Sequence, residues 1–145
     1  MANTVYQDKK KHVVYVTSTR ADYGLMRNTL QELQNERSLN LSILVCGMHM
    51  SPMYGDSIQD IKSDGFNIGS VVDTLPLTST PSAVAQSIGA ATCSFSRSFE
   101  LLTPDLVLIE GDRGEALAAS IAAAYMNIAI AHISGGDVTG TMIDE

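Results

Sequence analysis

The sequence predicts an α/β protein with a doubly wound, mainly parallel sheet of the Rossmann-like type. Short apolar runs rich in β-branched residues alternate with longer segments whose apolar residues recur at helical spacing. Strands that alternate with helices in this way form right-handed βαβ units and a parallel sheet. Polar or glycine-containing clusters follow four of the five apolar runs. Parallel strands bring such clusters to one edge of the sheet, which is where ligands bind in this fold class.

The predicted elements follow one another along almost the whole chain. Buried strands are expected at 12–17, 39–46, 67–72, 106–109 and 128–133. Helices are expected at 23–35, 53–64, 81–102 and 115–125. In the first helix Met26, Leu30 and Leu33 fall at i, i+4 and i+7, so they share one apolar face. Pro81 favours a helix start, and Gly65 favours a helix stop.

Composition and charge limit the classes of protein to which the chain can belong. The chain has 145 residues, of which 45% are hydrophobic, and this suits a single globular domain. Its formal net charge of -7 argues against nucleic acid as the main partner, because binding along a phosphate backbone needs a basic face. No apolar run reaches the roughly 20 residues of a membrane span. Residues 1–11 form a polar tail unlike a signal peptide, and Cys46 and Cys93 suit reduced core thiols, so a cytoplasmic protein is expected.

The cluster between the first strand and the first helix is a candidate anion site. A helix N-terminus presents free N–H groups and a positive dipole end, and Arg20 adds a charge that pairs well with phosphate. The alternative is that Asp22 caps the helix and Arg20 is an ordinary surface residue. Neither GxGxxG nor GxxxxGK[ST] occurs in the sequence, so no dinucleotide fingerprint and no P-loop is predicted.

Two further strand ends carry titratable side chains. His49 follows the second strand and either binds substrate or hydrogen-bonds to loop backbone. Asp112 and Arg113 follow the fourth strand. The Asp112 carboxylate is placed to act as a base or to accept a hydrogen bond from a sugar hydroxyl. The alternative is that the Asp112–Arg113 pair only fixes the turn. His132 is expected to be a core histidine or to orient the loop after the fifth strand. The histidines and cysteines are not spaced as metal ligands, so no metal site is predicted.

The glycine-rich segment after the fifth strand supplies the remaining candidates. Its carboxylates, together with Asp112, suit the abstraction and return of a proton, although a solvated acidic loop is the alternative. The candidate residues of this segment are Ser134, Gly135, Gly136, Asp137, Asp144 and Glu145.

Five stretches of the chain form an ordered set of motifs. They are TSTRADYG (17–24), GMHMSPMYGDSIQDI (47–61), DGFNI (64–68), PDLVLIEGDRGEAL (104–117) and NIAIAHISGGDVTGTMIDE (127–145). In this order and combination, the chain resembles the N-terminal domain of the UDP-N-acetylglucosamine 2-epimerase family, and the hydrolysing branch in particular. The resemblance covers nearly the whole chain after residue 11.

The resemblance implies two Rossmann-like domains of the glycosyltransferase-B type, with the active site in the cleft between them. Residues 12–145 would form the N-terminal domain, and the C-terminal domain that holds most UDP contacts would be absent from this chain. It also implies a reaction in which a base removes the C2 proton of a UDP-sugar, UDP leaves from C1, and water adds to give a free N-acetylmannosamine-type sugar. No cofactor is implied, and a homodimer is compatible with the family.

The resemblance also assigns roles to individual residues. Arg20 matches an arginine that approaches the nucleotide phosphates, and Asp112 matches a catalytic carboxylate. Asp144 and Glu145 match an acidic pair to which the family assigns catalytic weight. The positions that match residues near the substrate are His49, Arg113 and Asp137.

Two departures from the family's pattern bear on the substrate. Ser134 stands where many members carry a catalytic glutamate, and serine cannot replace its acid–base role at neutral pH. Either Asp137 or another group substitutes, or the substrate is a modified sugar such as a 2,4-diacetamido sugar. Gly114 stands where an aromatic residue is usual, which is expected to widen the pocket.

Three alternatives to a hydrolysing epimerase stay open at this point. They are a non-hydrolysing epimerase, a non-catalytic nucleotide-sugar binding module, and half of a glycosyltransferase. A domain without its partner is expected to be inactive alone, because a closed cleft needs both walls. It is also expected to expose apolar surface on the side of residues 134–145.

Overall fold

A computed structural model describes residues 9–138 and residue 140. The strands are β1 (Lys11–Thr17), β2 (Leu39–Cys46), β3 (Ile68–Val72), β4 (Leu106–Glu110) and β5 (Ala129–Ile133). The helices are α1 (Arg20–Asn35), α2 (Ile58–Ser63), α3 (Pro81–Leu102) and α4 (Gly114–Tyr125). The strands form one sheet in the order β3–β2–β1–β4–β5, and all four pairings are parallel.

Helices cover both faces of this sheet, so the fold is doubly wound as predicted. Along β1, Val13 and Tyr15 pack in a cluster with α1 and α2, whereas Val14 and Val16 pack in a second cluster with α3 and α4. The central strands are therefore buried on both faces. That is why they read in the sequence as continuous apolar runs rather than as an alternation of apolar and polar residues.

All five predicted strands are confirmed, with ends within about one residue of those expected, and α3 has the predicted bounds. Helix α1 begins earlier than predicted because Thr19, and not Asp22, is the N-cap. The Thr19 hydroxyl accepts a hydrogen bond from the Asp22 backbone N–H, and the Asp22 carboxylate accepts one from the Thr19 N–H. This reciprocal pair is a capping box, which places Asp22 inside the first turn.

The prediction of a continuous helix at 53–64 was wrong over its first half. Helix α2 covers only Ile58–Ser63, and two 3₁₀ turns, Gly47–Met50 and Pro52–Tyr54, precede it. Gly55 and Asp56 have φ angles of 93° and 45°, in the left-handed region that an α-helix cannot use. The interruption allows the loop after β2 to fold back over the end of the sheet.

The two cysteines differ in their environments. Cys46 at the end of β2 is buried, as predicted, but Cys93 on α3 is exposed, so the prediction of two core thiols was wrong for Cys93. In α3 the buried residues Ala91, Phe95 and Phe99 recur every four positions. Cys93 lies two positions from Ala91 and therefore falls on the opposite side of the helix. In the part of the chain that is described, no helix is long and apolar enough to cross a membrane.

Candidate active site

The loops at the carboxyl edge of the sheet form two adjoining depressions. The first, which we call the acidic groove, has a volume of about 370 Å³. It is lined by Thr19, Ala21, Asp22, Leu25, Glu110, Gly111, Asp112, Arg113, Ser134 and Asp137. The second, which we call the apolar pocket, has a volume of about 480 Å³ and lies between the loops after β2 and β3 and the first half of α3. Its lining includes Met48, Met53, Tyr54, Leu77, Val84, Ile88, Arg113, Gly114 and Glu115.

Four predicted site residues meet in the acidic groove. Asp112 and Arg113 follow β4, while Ser134 and Asp137 follow β5, and the parallel pairing of these two strands brings the loops together. Arg113 also lines the apolar pocket, so it stands at the boundary between the two depressions. Asp144 and Glu145 lie outside the described residues, and their catalytic role stays a prediction.

The turn after β5 is shaped by a contact between a histidine and glycine. The His132 Nε2 atom lies 2.6 Å from the Gly111 carbonyl oxygen and donates a hydrogen bond to it. A Cβ added to Gly135 would lie 2.5 Å from His132 Nδ1, so a side chain at position 135 would displace the ring. Gly136 has a φ of 86°, which also favours glycine. His132 is exposed, so it orients the loop, as one alternative predicted, and is not a core histidine.

Arg20 lies beside the acidic groove at the start of α1, but it does not line the groove. Its Nη2 atom is 3.0 Å from an Asp60 carboxylate oxygen and 3.5 Å from the Gly55 carbonyl oxygen. Both charged side chains are more than half exposed, and ion pairs of this kind contribute little to stability. An anionic ligand at the N-terminus of α1 can therefore compete with Asp60 for the guanidinium.

The structure does not bring His49 into either depression. Its side chain is 0% exposed, its Nε2 lies 2.9 Å from Thr17 Oγ1, and its Nδ1 lies 2.6 Å from Ser57 Oγ. Both ring nitrogens are therefore engaged within the fold. This geometry gives no support to substrate contact by His49. It favours the alternative of a hydrogen-bonded histidine, with hydroxyl groups as partners in place of loop backbone.

Asp22 is the centre of this buried network. Its carboxylate accepts hydrogen bonds from the Ser18 N–H and hydroxyl, the Thr19 N–H and the Thr17 hydroxyl. Because Thr17 donates its hydrogen to Asp22, its oxygen accepts from His49 Nε2. Burial by itself would raise the pKa of Asp22. The nearby His49 imidazole, whose Nε2 lies 3.9 Å from Asp22 Oδ1, and the hydrogen bonds from Thr17 and Ser18 outweigh burial and lower the pKa of Asp22 below its usual value.

Gly47 allows the loops after β1 and β2 to meet. Its φ is 58°, and an added Cβ would lie 2.8 Å from the Ser18 carbonyl oxygen and 2.9 Å from Glu115 Oε1. The Gly47 N–H donates to Thr74 Oγ1 at 2.9 Å, and the Met48 N–H donates to the Ser18 carbonyl oxygen at 2.7 Å. Three segments thus contact one glycine, and no other residue type fits without displacing one of them.

Two glutamates at this edge were not among the residues predicted from the sequence. Glu115, in the first turn of α4, lies with Oε2 3.5 Å from Arg113 Nε, and Thr74 Oγ1 is 3.5 Å from Glu115 Oε1. Glu110 is the last residue of β4 and lines the acidic groove. The sequence held a signal for Glu110, because it is a carboxylate directly after a run of buried apolar residues.

The pKa of Glu110 is raised above the usual value for a glutamic acid. Burial is the largest cause, followed by the negative charges of Asp22 and Asp112, while His132 acts in the opposite direction. The acidic groove thus combines several carboxyl groups with the guanidinium of Arg113, and it can hold a polar ligand and exchange protons with it. No group of three or more His, Cys, Asp or Glu side chains that could hold a metal ion occurs among the described residues.

Gly114 lines the apolar pocket, and the widening expected there stays a prediction, because Ile88 takes up space beside the glycine. The Cδ1 and Cγ1 atoms of Ile88 each lie 3.0 Å from the position that a Cβ on Gly114 would occupy. The isoleucine from α3 therefore fills the space that a side chain at position 114 would otherwise need. The absence of a side chain at position 114 allows α3 and α4 to pack closely here.

The fold and the position of the groove define a Rossmann-like domain of the glycosyltransferase-B type. A crystal structure of a UDP-N-acetylglucosamine 2-epimerase superposes with a TM-score of 0.79 at 25% identity, covering 92% of this chain and 36% of that one. The UDP-N-acetylglucosamine 2-epimerase of Neisseria meningitidis, solved with UDP-N-acetylglucosamine bound, superposes with a TM-score of 0.72 at 23% identity, covering 88% of this chain and 33% of that one. The second likeness shows the fold alone.

The chain belongs to the UDP-N-acetylglucosamine 2-epimerase family, whose sequence profile matches residues 31–145. The UDP-N,N'-diacetylbacillosamine 2-epimerase (hydrolyzing) of Legionella pneumophila is 44% identical over 135 residues, which cover 93% of this chain and 36% of that protein. The GDP/UDP-N,N'-diacetylbacillosamine 2-epimerase (hydrolyzing) of Campylobacter jejuni is 35% identical, with 94% of this chain and 35% of that protein covered. The chain therefore spans about a third of the length of these relatives.

Proposed function

We propose that this chain is the N-terminal domain of a hydrolysing UDP-sugar 2-epimerase, which releases a free N-acetylmannosamine-type sugar and UDP. The observation that carries the proposal is the acidic groove, where Asp112 and Asp137 stand beside Arg113 at the carboxyl edge of the sheet. The names of the two relatives support the hydrolysing branch over the non-hydrolysing one. A site with carboxyl groups beside a cation suits proton transfer on an anionic substrate.

In the proposed reaction, Asp112 acts as the base that takes the proton from C2 of the sugar. The C2–H electron pair becomes the C1–C2 double bond, and UDP leaves from C1 with the electrons of the C1–O bond. Water then adds across the double bond to give the free sugar. Arg113 lies in the groove and Arg20 beside it, and these positions support the proposal that both stabilise the negative charge on the leaving diphosphate.

We also propose that a second domain faces this edge of the sheet and carries most of the UDP contacts. Large apolar side chains surround the two depressions on this edge, and they are mostly solvent-exposed in the described structure. They are Leu25 (73% exposed), Met53 (88%), Leu77 (101%) and Val138 (87%). Exposed apolar residues grouped around a polar groove are typical of a surface that another domain covers.

The sugar is proposed to be a UDP-linked 2-acetamido sugar, with a 2,4-diacetamido sugar as the better candidate. The names of the two relatives, both diacetylbacillosamine 2-epimerases, support this choice. The apolar pocket that adjoins the groove at Arg113 would also accept the methyl group of a second acetamido substituent. Such a contact contributes about 1 kcal/mol, so kcat/KM for the diacetamido substrate should exceed that for UDP-N-acetylglucosamine by roughly five- to tenfold. Equal kcat/KM values for the two substrates would contradict a role for the pocket in selection.

The experiment that tests the function uses the full-length protein with its proposed second domain. It is incubated in heavy water with each UDP-sugar in turn, and the products are followed by NMR. Free sugar with deuterium at C2, together with UDP, is the expected result. An epimerised UDP-sugar would instead indicate the non-hydrolysing reaction, and binding without turnover would indicate a non-catalytic module. Transfer of the sugar to an acceptor would indicate a glycosyltransferase.

Substitution of Arg20 tests the proposed site of the diphosphate. Arg20→Ala removes a charge whose present partner is an exposed carboxylate, so stability should change by less than about 0.5 kcal/mol. KM for the UDP-sugar should rise by roughly 10- to 100-fold, because a charge-assisted hydrogen bond to phosphate is lost. Arg97→Ala, on the exposed side of α3, is the matched control. An unchanged KM in Arg20→Ala would show that Arg20 does not contact the substrate.

A cytoplasmic location is proposed as well. The thiols of Cys46 and Cys93 are both free, as is usual for proteins in a reducing compartment. A homodimer remains compatible with the proposal, and sedimentation of the full-length protein would determine its oligomeric state.

A further inference from the structure

Glu110 occupies a position in the acidic groove that differs from that of every other carboxylate there. Side chains alternate between the two faces along β4, and Leu108 packs in the cluster formed with α1 and α2. Glu110 is two residues further on and therefore points to the same face, toward the N-terminus of α1. It lies at the last position of the strand, where the paired residue of β5 is Ile133 and the next residue is Ser134. The strand backbone fixes Glu110, whereas Asp112 and Asp137 lie on loops.

The Glu110 carboxyl group has no hydrogen-bond or salt-bridge partner among the residues that the structure describes. Asp112 and Asp137 share this property among the described residues, but both lie on loops, whereas Asp22 and Glu115 have partners within the fold. Asp22 accepts four hydrogen bonds, and Glu115 lies 3.5 Å from the Arg113 guanidinium. A half-buried carboxyl group that is held on a strand, faces a groove and lacks a partner is available to act on a bound ligand.

The charges around Glu110 come from three elements. Asp22 on α1 and Asp112 on the loop after β4 are negative, and His132 on β5 is the group that opposes them. Burial of the carboxyl group is the largest influence and acts in the same direction as the two carboxylates, so the pKa of Glu110 is raised. Glu110 thus keeps its proton at a higher pH than an exposed glutamic acid does, which is the direction of shift that favours a proton donor.

We propose that Glu110 is a catalytic proton donor, which delivers a proton to C2 of the unsaturated sugar in the second half of the reaction. This inference rests on the function proposed above. It assigns different steps to two carboxyl groups, with Asp112 acting first as the base and Glu110 acting second as the acid. Ser134, at the neighbouring end of β5, carries a hydroxyl group that cannot fill this role at neutral pH.

The two steps balance in protons and electrons. In the first, Asp112 gains the C2 proton, the C1–C2 double bond forms, and the C1–O bond to UDP breaks. In the second, the double-bond electrons form a new C2–H bond with the proton of Glu110, and a water oxygen bonds to C1. The second proton of that water passes to solvent. Solvent then returns a proton to Glu110 and removes one from Asp112, so both groups begin the next turnover in their original states.

The test is Glu110→Gln in the full-length protein, with UDP-sugar in heavy water. Glutamine keeps the size and polarity of the side chain but cannot donate an acidic proton. The formation of free sugar should fall by roughly 10²- to 10⁴-fold, which is the usual contribution of a positioned acid. UDP release should fall much less, so the unsaturated sugar should accumulate as a product visible by NMR. Binding of the UDP-sugar, measured by calorimetry, should remain within about threefold of wild type.

The matched control is Glu100→Gln, the same change at an exposed position of α3 near its carboxyl end, which lies at the opposite edge of the sheet. It should behave as wild type. Free sugar formed by Glu110→Gln at the wild-type rate would overturn the inference. So would an equal loss of UDP release and free sugar, because Glu110 would then act in the first step or only in folding. A wild-type protein that releases neither UDP nor free sugar from any UDP-sugar would refute the proposed function itself.

Discussion

Asp22 shows how one side chain organises a whole edge of the sheet. Its carboxylate is buried, closes the capping box of α1 through Thr19, and ties the end of β1 to His49 through Thr17. The loop after β2 is thereby fixed against the loop after β1. Sequence alone suggested Asp22 as a cap, but it could not show that the same carboxylate supports His49, because that contact depends on the packing of distant segments.

Replacement of Asp22 should strongly destabilise the protein. Asp22→Ala leaves several buried donors without an acceptor and removes the capping box, so we expect a loss of about 2–4 kcal/mol in the free energy of unfolding. Chemical denaturation measures this loss. Glu100→Ala, at an exposed position of α3, is the control and should change stability by less than about 0.5 kcal/mol. A loss of under about 1 kcal/mol in Asp22→Ala would show that the network is not a stabilising feature.

The lowered pKa of Asp22 predicts a dependence of stability on acid pH. The folded state binds the Asp22 proton less readily than the unfolded state, whose pKa is near the ordinary value of 3.8. Its contribution is therefore fully present above that value and is lost as the pH falls through the lower pKa of the folded state. We expect a steeper loss of stability below about pH 4 in wild type than in Asp22→Asn. Parallel pH profiles of the two proteins would contradict this expectation.

The raised pKa of Glu110 predicts the opposite dependence of stability on pH. The folded state binds the Glu110 proton more readily than the unfolded state, in which the pKa is near 4.5. The contribution of Glu110 to the free energy of unfolding is therefore fully present below that pH. It is lost as the pH rises through the raised pKa of the folded state. Glu110→Gln cannot ionise, so its melting temperature should exceed that of wild type near pH 8 but not at pH 4. A pH-independent difference would indicate a simple packing effect.

At the scale of elements, glycines decide how closely segments approach one another. Gly47 lies where the loops after β1 and β2 meet the start of α4, and Gly114 lies where Ile88 of α3 packs on α4. The sequence showed both glycines but not their neighbours. The broken helix before α2 is a similar case, because the periodic apolar residues predicted a longer helix and the left-handed backbone at Gly55 prevents it.

Two glycine-to-alanine changes should have effects of opposite sign. Gly47→Ala places a Cβ 2.8 Å from a backbone oxygen at a φ of 58°, so we expect a loss of about 1–3 kcal/mol in the free energy of unfolding. Gly24→Ala, within α1, meets no atom within 4 Å and should gain roughly 0.5–1 kcal/mol from helix propensity. Urea denaturation of both variants tests the pair. If Gly47→Ala were as stable as wild type, the loop would have other conformations available.

At the scale of the whole molecule, the carboxyl edge of the sheet combines a polar groove with exposed apolar side chains. Leu25 lines the acidic groove, and Val138 follows the loop that closes it. Both are mostly exposed in the described structure. This combination supports the proposal that a second domain covers this edge.

The chain by itself should therefore bind a dye that fluoresces on apolar surfaces, and the full-length protein should bind much less. The double substitution Leu25→Ser and Val138→Ser should reduce dye binding by the chain, because these are two of the most exposed large apolar side chains around the depressions. Leu101→Ser, an equally exposed residue at the far end of α3, is the control. Equal dye binding by the chain and by the full-length protein would contradict coverage by a second domain.

The sequence by itself determined the doubly wound sheet, its five strands, and the meeting of Asp112 and Arg113 with Ser134 and Asp137 at the carboxyl edge. Local periodicity and the geometry of parallel strands are sufficient for those conclusions. Only the tertiary structure decided that His49 is buried and that Glu110 faces the groove without a hydrogen-bond or salt-bridge partner among the described residues. Burial and the shift of a pKa depend on atoms from segments far apart in the chain, and no local pattern encodes their distances.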